Sequence, residues 1–295
     1  MRSLGRLADK LFLKQYLTNL LLKCWFIHIA SDEKISYVYT LIMDFYGYVN
    51  TVQLEVPESG AAGYPFNIPC IQNFQKLTFH PKVTYLIGEN GMGKSTLLEA
   101  IAVSLGFNAE GGSRNMKFDT RPTHSDLHNY LRISKGIHRM KDGYFLRGES
   151  FYNVASEIDE LDIDPLAGPT IIKSYGGKSL HEQSHGESFW ALFMNRFGGS
   201  GLYILDEPES ALSVTRQMAM LARMDKLITK RSQFIIATHS PIVLAYPDAT
   251  IYQMTPEGIH KVKYKETDTY RLYKGFLDNP EQMTSILLDN DDGEE

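Results

Sequence analysis

Cysteine is nearly missing: two occur in 295 residues, Cys24 and Cys70. That excludes a disulfide framework and a cysteine-built metal site, and makes a reducing, cytoplasmic compartment the expectation. A long apolar run is missing too. The nearest is residues 11–30, LFLKQYLTNLLLKCWFIHIA, broken by Lys14, Gln15, Asn19, Lys23 and His28. It falls short of the ~18 uninterrupted apolar residues of a membrane span and lacks the small-residue cleavage site of a secretory leader. Strong charge of one sign is also absent. The net charge of −5 gives no global footprint for nucleic acid and leaves only a local basic patch as an option. Internal repeats and low-complexity tracts are lacking. What remains is an ordinary globular composition, 43% hydrophobic and 22% charged, long enough for one large α/β domain or two small ones.

The texture changes along the chain. Residues 1–42 hold six basic and three acidic residues, a net +3 that leaves −8 for the rest. This Leu- and aromatic-rich stretch reads as a membrane-surface or partner-binding helix, as an appendage on the core, or as sequence ahead of a start at Met43. From Val49, VNTVQLEV alternates like a strand, and two further strand-like runs follow up to Gly88. A helix is expected over 94–105 and another near 124–134, with loops between them. Residues 151–180 read as irregular. Then come a helix near 186–197, a strand at 201–205, a helix at 213–229 and a strand at 233–237. Short strands at 249–254 and 259–264 precede a helical end and an acidic tail, 289–295. Strands alternating with helices predict a mixed α/β sheet covered on both faces.

The strongest signal is TYLIGENGMGKSTLLEAIA. Gly88-x-x-x-x-Gly93-Lys94-Ser95 is a complete phosphate-binding loop, set between an apolar strand and an apolar-faced helix. Backbone N–H groups can surround several phosphate charges only where side chains do not block the approach, hence Gly88, Gly91 and Gly93. Glu89, Asn90, Met92 and Thr96 belong to the same cradle. Lys94 is placed to reach the β- and γ-phosphates, and the Ser95 hydroxyl to ligate Mg²⁺. The expected ligand is therefore ATP with Mg²⁺.

Further on, GLYILDEPES is an apolar strand ending in Asp206-Glu207-Pro208. An acid at the carboxyl end of a buried strand can hold the Mg²⁺ shell, and Glu207 can take a proton from an attacking water. FIIATHSP places His239 at the end of another strand, a position for sensing the γ-phosphate. Ser184-His185-Gly186-Glu187, at the start of a helix 22 residues before Asp206, fits a capping box and also an anion site.

The order of these motifs resembles the ATP-binding-cassette (ABC) ATPases. Ser184-His185-Gly186-Glu187 looks like their signature with His in the first glycine position, Ser210-Ala211-Leu212-Ser213 like their D-loop, and His239 like their switch histidine. Ile71-Gln72-Asn73-Phe74, running straight to the phosphate loop, resembles the opening of the soluble RecF/SMC branch and of small ATPases near it. The resemblance implies a P-loop NTPase fold of ABC type, with a mixed sheet flanked by helices and a small helical subdomain. It implies one ATPase domain over 43–288 with a helical insertion at about 106–198. It also implies an ATP-driven homodimer in which Ser184, Gly186 and Glu187 of one copy face the other's phosphate loop. DNA or a partner protein would be the further ligand, in repair or defence. The alternative is the ATP-binding subunit of a membrane transporter. No glutamine occurs between Thr96 and Gln183, so the glutamine that couples such subunits to a membrane partner is absent. Glu149 stands near its place as a substitute metal contact. Tyr64, Phe66, Phe74 and Phe79 compete as the aromatic that stacks on adenine.

Overall fold

The computed structural model describes residues 45–55, 63–116, 125–148, 151–163 and 170–288. The expectations for residues 1–42, for the tail 289–295 and for Glu149 fall outside them. From Tyr46 onward the described residues belong to one compact unit.

Strands β1 (Val49–Leu54), β2 (Lys76–Thr78) and β5 (Leu131–Lys135) form a small antiparallel sheet in the order β2-β1-β5. The main sheet has seven strands. In spatial order they are β10 (Gly258–Val262), β9 (Thr250–Thr255), β3 (Val83–Ile87), β8 (Gln233–Ala237), β7 (Gly201–Asp206), β6 (Asp142–Arg147) and β4 (Gly112–Ser113). The five from β9 to β6 run parallel, and antiparallel β10 and β4 close the two edges. Every residue of β3, β7 and β8 is buried. This is why these strands read as unbroken apolar runs, whereas half-exposed β1 alternates.

The helices follow their apolar stripes. They are α1 (Pro69–Gln72), α2 (Lys94–Ser104), α3 (Phe151–Ile163), α4 (His185–Ala191), α5 (Val214–Ile228), α6 (Asp268–Asp278) and α7 (Pro280–Leu288). In α5, Met220, Met224 and Leu227 recur at helical spacing and enter the core. A π-helical turn, Leu192–Arg196, prolongs α4.

Three expectations are corrected. The helix near 124–134 is a 3₁₀ turn, Asp126–Tyr130, followed by strand β5. Leu131 and Ile133 alternate with Arg132 and Ser134, a period of two that pairs with β1. Residues 151–180 are not uniformly irregular: Phe151, Val154, Ala155 and Ile158 make one buried helical stripe along α3. The stretch 106–198 is helical only in its second half. Its first half supplies β4 and β6 to the main sheet and β5 to the small one.

Two polar side chains, buried Gln233 and half-buried Asp142, join these parts. The Gln233 amide accepts from the N–H groups of Tyr48 and Val49 at 2.7 and 2.9 Å and donates to the carbonyls of Val49 and His80, tying the small sheet to the start of β8. Asp142 accepts from Arg196 at 2.7 Å, from the Tyr203 hydroxyl at 2.8 Å and from the Gly198 amide at 3.2 Å. It thereby anchors the end of the π-helical turn after α4 to the start of β6 and to β7.

Candidate active site

β3, β8 and β7 are neighbours in the sheet and parallel. Their carboxyl ends therefore open side by side, where an α/β sheet places its ligand. β3 leads into the phosphate loop, β7 ends in Asp206, and β8 leads to His239. Strands far apart in sequence bring three predicted motifs to one edge.

The loop has the backbone its glycines imply. Gly88, Gly91 and Gly93 all have positive φ, at 151°, 81° and 86°. A Cβ on Gly88 would lie 2.5 Å from the Met254 carbonyl oxygen, whereas one on Gly91 would meet nothing within 4 Å. Gly88 is thus required by packing against β9, and Gly91 leaves the face of the loop open. Glu89, Asn90 and Gly91 are exposed. From below, the buried Cys70 thiol donates to the Met92 carbonyl. Burial pushes that thiol's pKa up, so it persists as a donor.

Lys94 is buried at the start of α2, and its ammonium donates to the carbonyls of Gly88 at 2.8 Å and Glu89 at 3.0 Å. Burial pulls its pKa below the ordinary lysine value, while Glu207, Asp206 and Glu209 oppose that shift. The cradle therefore sits among three carboxylates. Ser95 follows, half-buried, and Thr96 Oγ1 lies 3.2 Å from the Tyr64 hydroxyl. Phe66, Phe74 and Phe79 are buried core residues, which leaves Tyr64, 65% exposed, as the ring available beside the loop.

Asp206 is buried at the end of β7. Glu207, the next residue, takes a left-handed backbone with φ of 47°, a conformation costly for a non-glycine residue and concentrated at functional sites. Its amide donates to the Ala237 carbonyl at 3.0 Å, and its Oε1 lies 3.3 Å from His239 Nε2. Both side chains are about 40% exposed, so the pair faces an accessible space. Glu209 was not among the residues the sequence marked. Its Oε1 accepts from the amides of His239 at 2.6 Å and Ser240 at 3.2 Å. The only trace in the sequence is a third acid after Pro208, whose partners lie 30 residues on.

Ser184 and Glu187 form the expected cap. Glu187 Oε2 accepts from the Ser184 amide at 3.1 Å and from its hydroxyl at 2.7 Å. Those bonds, first the hydroxyl and then the amide, hold the Glu187 carboxyl below its ordinary range. The hydrogen bonds of Ser184 run within its own helix start, to Glu187 and Ser188, and none reaches the phosphate loop. Gly186 abuts Ala211: a Cβ there would stand 2.5 Å from the Ala211 carbonyl oxygen. His185 stacks on Tyr152 at 5.6 Å and meets Phe151 edge-on at 5.8 Å, which fastens the start of α4 to α3. On the other flank, Arg147 ends β6 opposite Asp206 and binds buried Glu99 of α2 at 2.5 Å.

The donor set fits Mg-ATP. It offers open backbone at Gly91, an ammonium at Lys94, a half-buried hydroxyl at Ser95, a buried carboxylate at Asp206, and an acid next to an imidazole. Among the described residues no cluster of three or more His, Cys, Asp or Glu side chains forms a metal site. Mg²⁺ itself takes one or two protein ligands and completes its shell with phosphate and water.

Comparison with known sequences divides along the same lines. Residues 66–157, with the phosphate loop, match a family described as "AAA domain". Residues 179–245, from the signature through His239, match one described as "AAA domain, putative AbiEii toxin, Type IV TA system". Both halves of the site thus fall within stretches that match AAA-domain families. No curated protein matches it by sequence. Among solved structures, cbiO1 from Clostridium perfringens, part of the ABC transporter complex cbiONQ, is 18% identical with a TM-score of 0.44, covering 82% of this chain and 99% of its own. The SMC head domain from Thermotoga maritima is 18% identical with a TM-score of 0.37, covering 73% and 99%. An ATP-binding subunit of an ABC transporter is 17% identical with a TM-score of 0.43, covering 74% and 91%.

Proposed function

We propose that this chain is an ABC-class ATPase that binds Mg-ATP, pairs with a second copy of itself around the nucleotide, and hydrolyses it to ADP and phosphate. The observation that carries the reading is the meeting of Lys94, Asp206, Glu207 and His239 at the ends of three adjacent parallel strands. The loop amides and Lys94 bind the phosphates. Ser95 and Asp206 are the residues that would hold Mg²⁺, which when bound neutralises charge on the phosphate oxygens. Glu207 accepts the proton of the attacking water as the new O–P bond forms and the bond to the ADP oxygen breaks. His239, 3.3 Å from Glu207, holds the γ-phosphate in this reading, and exposed Tyr64 stacks on the base.

Ser184 and Glu187 are exposed and Gly186 half-buried, and the hydrogen bonds of Ser184 stay within its own helix start, which supports their action on the nucleotide of a second copy. The transporter reading has less support, because no glutamine stands between Thr96 and Gln183 to couple the chain to a membrane partner. DNA repair or defence is the process class we favour, with DNA or a protein as the remodelled partner.

The test is multiple-turnover phosphate release by the purified chain. Wild type turns over, Lys94→Ala does not bind nucleotide measurably, and Glu207→Gln binds ATP but loses turnover by about 10²–10⁴-fold, the usual contribution of a general base. Equal turnover by wild type and Glu207→Gln would remove Glu207 from the mechanism.

A further inference from the structure

We infer that Glu209 is the positioning residue for the switch histidine, holding the imidazole of His239 beside Glu207. The inference rests on the reading of the site given above and adds a residue to it. Glu209 lies on the turn after β7, two residues past Glu207. Its Oε1 accepts from the adjacent amides of His239, at 2.6 Å, and Ser240, at 3.2 Å. A charged acceptor shared by two successive N–H groups makes short, strong bonds and fixes the direction in which the backbone leaves β8. Its other oxygen, Oε2, is buried and has no hydrogen-bond partner among the described residues, so Oε1 alone does the holding.

The same loop is held from a second side. The Ser240 hydroxyl donates to Gln217 Oε1 at 2.7 Å and accepts from the amides of Ile242 and Val243, each at 3.1 Å. Gln217 Nε2 in turn donates to the Leu212 carbonyl at 3.0 Å. The turn after β7 and the turn after β8 are therefore one hydrogen-bonded unit. Ala211, against which Gly186 packs, sits in the middle of that turn. A shift of the signature helix would reach Ala211, then Glu209, then His239.

The chemistry distinguishes this role from a merely electrostatic one. Glu209→Gln loses the charge but keeps an acceptor oxygen at the same reach. Glu209→Asp keeps the charge but draws the acceptor back by one C–C bond, ~1.5 Å, out of hydrogen-bond range of both amides. We expect Glu209→Gln to retain kcat within about threefold, and Glu209→Asp to lose at least tenfold in kcat with KM for ATP changed less than about twofold. In a His239→Ala background the Asp change should add nothing, because the residue acts through the histidine. A second readout does not depend on turnover: the ring resonance of His239 in ¹⁵N-histidine-labelled protein, assigned by its loss in His239→Gln. It should move in Glu209→Asp and stay in Glu209→Gln. An active, wild-type-like Asp variant, losses that multiply in the double mutant, or an unmoved ring resonance would each overturn the inference. A wild type that hydrolyses nothing but shows the resonance shift would overturn the ATPase reading and leave the clamp standing.

Discussion

Asp142 illustrates how much one side chain can hold. Burial pushes its carboxyl up, yet Arg196, the Tyr203 hydroxyl and the Gly198 amide outweigh that and leave the pKa below the ordinary aspartate value. A carboxylate depressed by folding stabilises the native state fully above the unfolded pKa of about 3.9, and that contribution fades as pH falls through the lower folded value. Asp142→Asn should therefore destabilise the protein by about 3 kcal/mol at pH 7, measured by urea denaturation, with the gap to wild type narrowing toward pH 3. A gap that widens in acid would reverse the assignment. Cys70 makes a second case. Its thiol is buried and its pKa raised, so peptide mapping after iodoacetamide at pH 7.5 should find it unmodified in the folded protein and modified in urea. At this scale the sequence showed Lys94, Ser95, Asp206 and Glu207, because the residues around each of them in the chain form a motif. It hid Glu209, Asp142 and Gln233, whose partners lie tens to nearly two hundred residues away.

Among the elements, the signature helix carries the clearest consequence. Its cap was legible, since Ser-x-x-Glu is a local pattern that local hydrogen bonds satisfy. Its glycine was legible only as a motif letter. The reason for it is the Ala211 carbonyl, which a Cβ at 186 would approach to 2.5 Å, closer than packed atoms allow. Gly186→Ala must displace either the helix or the turn. We expect at least a tenfold loss of ATPase turnover with binding of a fluorescent ATP analogue to the monomer within about twofold. A loss of nucleotide affinity instead would place Gly186 in its own chain's cradle. β5 and α3 show the opposite failure. Both patterns were present in the residues, a period of two and a stripe at i, i+3, i+4 and i+7, but neighbouring Gly-, Asn- and Pro-rich stretches obscured their edges.

For the whole molecule, the prediction concerns assembly. Glu207→Gln protein should elute as a monomer alone and as a dimer with Mg-ATP, and Ser184→Arg should remain monomeric in the same test. A monomer under both conditions would defeat the two-copy scheme. A duplex-DNA role makes a separate demand. ATPase activity should rise with DNA and the rise should fall steeply between about 50 and 200 mM salt, as counterion release requires; a flat response would exclude it.

The sequence by itself determined the class of chemistry. A phosphate loop, an acid pair at a strand end and a strand-end histidine are local arrangements, dictated by what a triphosphate and its metal need from neighbouring backbone and side chains. Only the tertiary structure decided that β3, β8 and β7 lie side by side, that Tyr64 alone of four aromatics stays exposed, and that Glu209 accepts from the amide of a histidine 30 residues away. Strand order and long-range hydrogen bonds arise from packing strands from distant parts of the chain into one buried sheet centre, and no window of the chain contains that condition.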